Sequence, residues 1–175
     1  MNTLLYFVLG LVALLLLLTL IAPKSYDVFR VIEITGSKDT IFPFLQYLEK
    51  QRLWSPWAKK DPEMMHNLIG IDGTVGAVST WKGNKDVGEG EQEITKVILG
   101  KSVEGQLRFL KPWKSQSDCY INLEESTSTS YRVTWGFTGT TKFPFSIMMI
   151  FMSMDKMVGK DFEEGLKSLK KLIED

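Results

Sequence analysis

The chain has 175 residues, with 21 Lys and Arg against 21 Asp and Glu, for a formal net charge of zero. That balance argues against nucleic acid as a partner, because holding phosphates needs an excess of Lys and Arg. A single cysteine and a single histidine exclude an internal disulfide and a His/Cys zinc site, which wants four such ligands.

An uncharged apolar run, Leu4 to Ala22, opens the chain. As a helix rising about 1.5 Å per residue it reaches roughly 28 Å, close to the ~30 Å hydrocarbon core of a bilayer. A cleaved secretory signal would instead show a basic start, a shorter apolar stretch and a small-x-small exit. Met1-Asn2-Thr3 carries no Lys or Arg, and the exit Leu20-Ile21-Ala22-Pro23 is bulky and closes on proline. Residues 1–23 are therefore expected to form an uncleaved single-pass membrane anchor, which Pro23 ends because it cannot donate to the helical ladder. Lys24 and Arg30 follow the span, so the positive-inside rule leans the domain beyond it toward the cytoplasm. No polybasic cluster directly follows the span, and recognition of anionic headgroups is not indicated.

Residues 24–175 have the length of one domain with room for a sizeable core. Tyr26–Ile34, rich in β-branched and aromatic residues, reads as a first strand that Gly36-Ser37 breaks. Ile41, Phe42, Leu45 and Leu48 then recur at helical spacing, with Thr40 as the expected N-cap and Pro43 in the first turn. The aromatic segment Leu53-Trp54-Ser55-Pro56-Trp57 and a polar turn, Lys59–Pro62, follow.

Six further strands are expected at Met64–Ile71, Val75–Trp81, Val87–Ile98, Ser102–Leu110, Ser117–Glu124 and Ser130–Thr138, with Gly73, Gly83-Asn84, Gly100 and Pro112 among the breaks. Alternation is clearest in the last three. Val103, Gly105, Leu107 and Phe109 oppose Glu104, Gln106 and Arg108; Cys119, Ile121 and Leu123 oppose Asp118, Tyr120 and Asn122; Val133, Trp135 and Phe137 oppose Arg132, Thr134 and Thr138. An antiparallel sheet covered on one face produces this pattern. A long helix, about Ser146 to Ile173, closes the chain, with an apolar stripe through Phe151, Met154, Val158, Phe162, Gly165, Leu169 and Leu172. The expected class is α+β: a curved antiparallel sheet of about seven strands around a C-terminal helix, preceded by one transmembrane helix.

This order resembles the START-like superfamily, also called polyketide cyclase/dehydrase-like or SRPBCC. The resemblance is carried by Trp54-Ser55-Pro56-Trp57-Ala58, Val75-Gly76-Ala77, Trp81-Lys82-Gly83-Asn84, Val87-Gly88-Glu89-Gly90, Val133–Phe137 and Met154–Leu166. It looks especially like bacterial members with one N-terminal membrane span, and it covers about residues 24–175. It implies a helix-grip fold with an apolar cavity between sheet and last helix, and no shared chemistry, since fold does not fix function.

Candidate lining residues for such a cavity are Trp81, Gly88, Gly90, Trp135, Phe137, Met149, Met152 and Met154. Five of the eight methionines sit at 148, 149, 152, 154 and 157, and Met adapts to varied apolar partners. Gly88 and Gly90 share a strand face with Ile94 and leave it bare where a ligand could approach. The competing reading of these residues is a packed core.

Glu89, Glu91 and Glu93 share one strand face opposite Ile94 and are expected in solvent. His66 is expected exposed on its strand, with no Asp placed to complete a triad. Trp54, Trp57, Trp113, Phe143 and Phe145 belong at the cavity mouth, at a bilayer surface, or buried as loop anchors. The expected function is membrane-tethered binding of a small apolar or lipid-like ligand, with no cofactor, no metal and no covalent catalysis. Two alternatives stand beside it. A cyclase or dehydratase would need Arg30, Glu33 or Tyr131 pointing inward; a protein-interaction module would use the outer sheet face around Tyr120 and Arg132.

Overall fold

A computed structural model describes residues 2–175, so Met1, where the expected anchor begins, lies outside the described residues. Helix α1 spans Asn2–Ile21 and is followed by strand β1, Ser25–Thr35. Three short helices come next: α2 (Lys38–Gln46), α3 (Leu48–Trp54) and α4 (Pro56–Lys60). Strands β2 (Met65–Ile69), β3 (Val78–Lys82), β4 (Glu89–Ile98), β5 (Ser102–Lys111), β6 (Ser115–Thr127) and β7 (Ser130–Thr140) follow, and helices α5 (Phe145–Phe151) and α6 (Met154–Glu174) end the chain. The strands form one antiparallel sheet in the order β1-β7-β6-β5-β4-β3-β2.

Four local expectations change. Helix α2 starts at Lys38 because Ser37, not Thr40, is its N-cap: the Ser37 hydroxyl oxygen accepts from the Thr40 N–H at 3.1 Å. Pro43 consequently falls in the second turn. The segment around Trp54 is helical, and the start of α3 is capped from a distant loop, with the Asp72 carboxylate accepting from the N–H groups of Leu48 and Glu49 at 2.8 and 3.2 Å. The third strand begins at Val78, because Val75–Ala77 turn about Gly76, whose φ is +87°. The expected single last helix is two. Met152 and Ser153 are extended, so Ser153 becomes the N-cap position of α6 and the chain changes direction there.

Register fixes which loops share an end. Ser25 pairs with Thr140, Phe109 with Ser115, Glu89 with Lys111, and Met65 with Lys82. The exit of α1, the β3–β4 and β5–β6 turns and the entry to α5 therefore gather at one end, called proximal below. A break in register between Ile94 and Lys96 leaves Thr95 out of step in β4 and helps the sheet curve.

Helix α6 lies across the concave face and packs mainly on β1. Distal to the α1 junction, Ile34, Ile41, Leu45, Leu48, Trp54, Val133, Leu166 and Leu169 form a fully buried core. Each such side chain contributes about 1.5–3 kcal/mol through burial. The Trp54 indole N–H donates to the Phe44 carbonyl at 3.0 Å, which lets its polar atom enter that core.

Candidate functional site

The concave face holds a second apolar cluster toward the proximal end. Val28, Cys119, Phe137 and Phe162 are its buried centre, and Tyr26, Trp57, Leu107, Trp135, Met154 and Val158 pack around them half-exposed. Trp135 on β7 and Phe162 on α6 lie 4.3 Å apart between ring centroids. Trp54 and Trp57 meet Trp135 edge-on at 4.8 and 5.7 Å, and Phe137 meets Phe162 edge-on at 5.5 Å. Edge-to-face contacts of this kind add to simple area burial. Gly165 makes the helix fit, because a Cβ there would lie 2.6 Å from the Trp135 ring.

The candidate lining residues divide into three places. Trp135, Phe137 and Met154 meet in the cluster just described. Trp81 and Gly90 face one another across β3 and β4, and the indole lies over the glycine so closely that a Cβ at 90 would stand 2.5 Å from it. Trp81 also meets Phe109 edge-on at 5.9 Å. Gly88 is a turn residue with φ +73°, packed against the Lys111 carbonyl. Met149 is half-buried on α5 and Met152 is exposed at the α5–α6 break. Tyr26, Leu107 and Val158 complete the half-covered rim without having been singled out from sequence, and Trp57, for which the cavity mouth was one of three expected places, joins them. Leu107 and Val158 carried the right periodicity but nothing that distinguished rim from core.

The polar groups nearest this cluster are already engaged. The Tyr26 hydroxyl and the Ser117 hydroxyl are 2.8 Å apart. Arg30 projects inward from β1 across Gly159, donating from Nη1 to Asp155 at 2.6 Å and from Nε to Glu163 at 2.8 Å. The two carboxylates, Asp155 first, hold the guanidinium firmly charged, and Arg30 in turn lowers the Asp155 pKa. Glu33 points outward, where it accepts from the Ser126 hydroxyl at 2.7 Å, and Tyr131 packs against the distal core. Burial pushes the Cys119 thiol up to about 12, which makes it a core residue rather than a nucleophile. Among the described residues no group of three or more His, Cys, Asp or Glu side chains could hold a metal ion.

His66 lies inward, opposite Trp81, rather than on the exposed face. It is half-buried, its Nδ1 has no hydrogen-bond partner among the described residues, and burial followed by the nearby Arg52 charge lowers its pKa. Protonation therefore favours the unfolded chain, whose imidazole takes a proton near the ordinary value of 6.5. The stability held at neutral pH should fall as pH drops through that value. Urea midpoints measured between about pH 7.5 and about pH 5.5 should fall more for the native chain than for His66→Gln.

The outer sheet face is polar and braced by ion pairs. Arg108 bridges Glu91 and Glu93, and Glu89 accepts from Lys111 at 3.0 Å. A depression of about 530 Å³ over Gly105 and Cys119 is rimmed by Glu104, Asp118, Tyr120 and Asn122, a lining unsuited to an apolar ligand. The Tyr120 hydroxyl donates to Asp27 at 3.0 Å there, and burial with that contact raises it to about 12.

No family model and no curated protein matches the sequence. Solved structures do match. Norcoclaurine synthase from Thalictrum flavum, solved in complex with dopamine and hydroxybenzaldehyde, superposes with a TM-score of 0.64 at 12% identity, over 89% of this chain and 90% of that one. XoxI from Bacillus cereus gives 0.60 at 15% identity, over 85% and 96%. The Aha1 dimer from Colwellia psychrerythraea gives 0.55 at 18% identity, over 85% and 96%. These likenesses define the fold as a helix-grip fold, and at such identities they define the fold alone.

Proposed function

We propose that this chain is a membrane-anchored helix-grip domain that takes up a small apolar or lipid-like molecule, without covalent catalysis, at the proximal end of its concave face. The observation carrying this reading is the half-covered state of that end. In the distal core buried residues outnumber the partly open ones around them, such as Phe44, Leu68 and Val97, whereas at the proximal end the balance reverses and Trp57, Leu107, Met154 and Val158 stay partly open around a small buried centre. Covering them with ligand releases about 25 cal/mol per Å² of apolar surface, less the cost of ordering the ligand. The norcoclaurine synthase structure, which holds two small aromatic compounds on the same fold, supports the uptake of a small ligand and not the absence of catalysis.

Helix α1 supplies the anchor. It is apolar enough to cross a membrane over Thr3–Ile21, and none of that stretch is buried against the domain. Lys24 and Arg30 favour a cytoplasmic domain by the positive-inside rule.

The test is photocrosslinking of the full chain in lipid nanodiscs with a diazirine-bearing fatty acid. Adducts are expected on peptides containing Leu107, Trp135 or Met154, and should weaken on Leu107→Glu. Adducts confined to α1 would sink the ligand-binding reading.

A further inference from the structure

The segment Phe143–Ser153 contains no charged residue, and α5 within it is apolar apart from the buried Ser146. Its inner face is accounted for: Ser146 is buried, and Ile147, Met149 and Ile150 are half-buried. Its outer face is not. Phe145, Met148 and Phe151, three residues apart, are 54, 51 and 78% exposed, and Met152 beside them is 42% exposed. A helix apolar nearly all round is normally enclosed by protein or by lipid.

Three observations say what covers this face. First, α5 touches α1, and the strand leading to α5 is stitched to the exit of α1: Thr141 donates from its N–H to the Lys24 carbonyl at 2.9 Å and from its hydroxyl to the Pro23 carbonyl at 2.8 Å. The bare face is thus continuous with the span. Second, the β5–β6 turn places Trp113, 72% exposed, with its ring centroid 6.5 Å from that of Phe145. Aromatic rings gather at the headgroup level of bilayers. Third, three exposed lysines, Lys24, Lys114 and Lys142, belong to the separate loops that register gathers at this proximal end. Lysines so placed keep their ammonium groups at the polar boundary while their stems lie along apolar surface.

We infer that α5 and Trp113 form an interfacial collar that docks in the bilayer crossed by α1, seating the half-covered proximal end of the grip on the membrane surface. The inference rests on the reading of α1 as an anchor and of the proximal end as the ligand mouth. It assigns the ligand's route: from the bilayer past α5, not from bulk water.

Spin labels on the full chain test it. Phe151→Cys and, as a distal control, Leu99→Cys are labelled separately; Cys119, buried with a raised pKa, does not compete. The chain is reconstituted in phosphatidylcholine vesicles carrying a minority of phosphatidylglycerol and isolated by flotation. The expected result is preferential access of oxygen over a water-soluble nickel chelate at position 151, with the reverse at 99. A floating chain with chelate access at both positions overturns the docking and leaves the anchor standing. Position 151 closed to both reagents overturns it in favour of a second copy or another protein. A chain that does not float overturns docking and anchor together. The crosslinking above reads ligand uptake separately, so a docked chain with no internal adducts would reject the ligand reading alone.

Discussion

Phe162→Ala should lower the folding free energy by about 3–5 kcal/mol, the usual cost of emptying a buried phenylalanine site. Phe162 is where α6 grips the sheet, and its ring meets Trp57, Trp135 and Phe137 at once. Truncation removes the ring that holds Trp135 against the helix. Against a typical total of roughly 5–15 kcal/mol, the loss is a large share of the domain's stability. A melting scan of the detergent-solubilised chain should show a fall of roughly 6–20 °C, taking about 2–4 °C per kcal/mol for a chain this long. Phe162→Leu, which keeps most of the volume, should cost clearly less. Equal losses for both variants would show that the aromatic contacts do not organise this face.

The second large effect lies in α1, the proposed anchor. Leu11→Arg together with Leu14→Arg places two charges in the middle of α1, each opposing insertion by about 2.5–3.5 kcal/mol. The doubly substituted chain should leave the membrane pellet after carbonate extraction and appear in the supernatant. Leu53→Arg, on an exposed position of α3, should leave the chain in the pellet. A double variant still firmly in the pellet would mean that α1 is not what holds this protein to membranes.

Much of the architecture was legible because one face of the sheet is buried and the other wet. Val103, Cys119, Ile121, Leu123, Val133 and Phe137 alternate with polar residues along their strands, and the structure places all six inward. The features that escaped are those made by residues far apart in sequence. Asp72 caps α3 from a loop beyond the next strand, so no local signal announced that helix. Ser153 ends a run of apolar residues whose spacing continues smoothly through it, and periodicity alone merged α5 with α6. Gly90 read from sequence as an opening, yet register sets Trp81 directly across from it, and the two are complementary halves of one contact. The lysines of the proximal end escaped for the same reason. No stretch after the span is polybasic, and only the fold brings Lys24, Lys114 and Lys142 to one end.

The junction between α1 and the domain has a mechanical consequence. Ala22 is buried, and Pro23 and Lys24 are held through their carbonyls by Thr141, so the link from helix to sheet contains no slack. A flexible linker would let the domain sweep a volume and visit neighbouring surfaces. This one acts as a bracket. With α1 crossing a bilayer as proposed, a domain mounted in this way would meet the same leaflet at the same height and tilt on every encounter, and would not swing across an aqueous gap to another membrane. On that reading, cargo would be exchanged within its own bilayer or passed to a partner that comes to it.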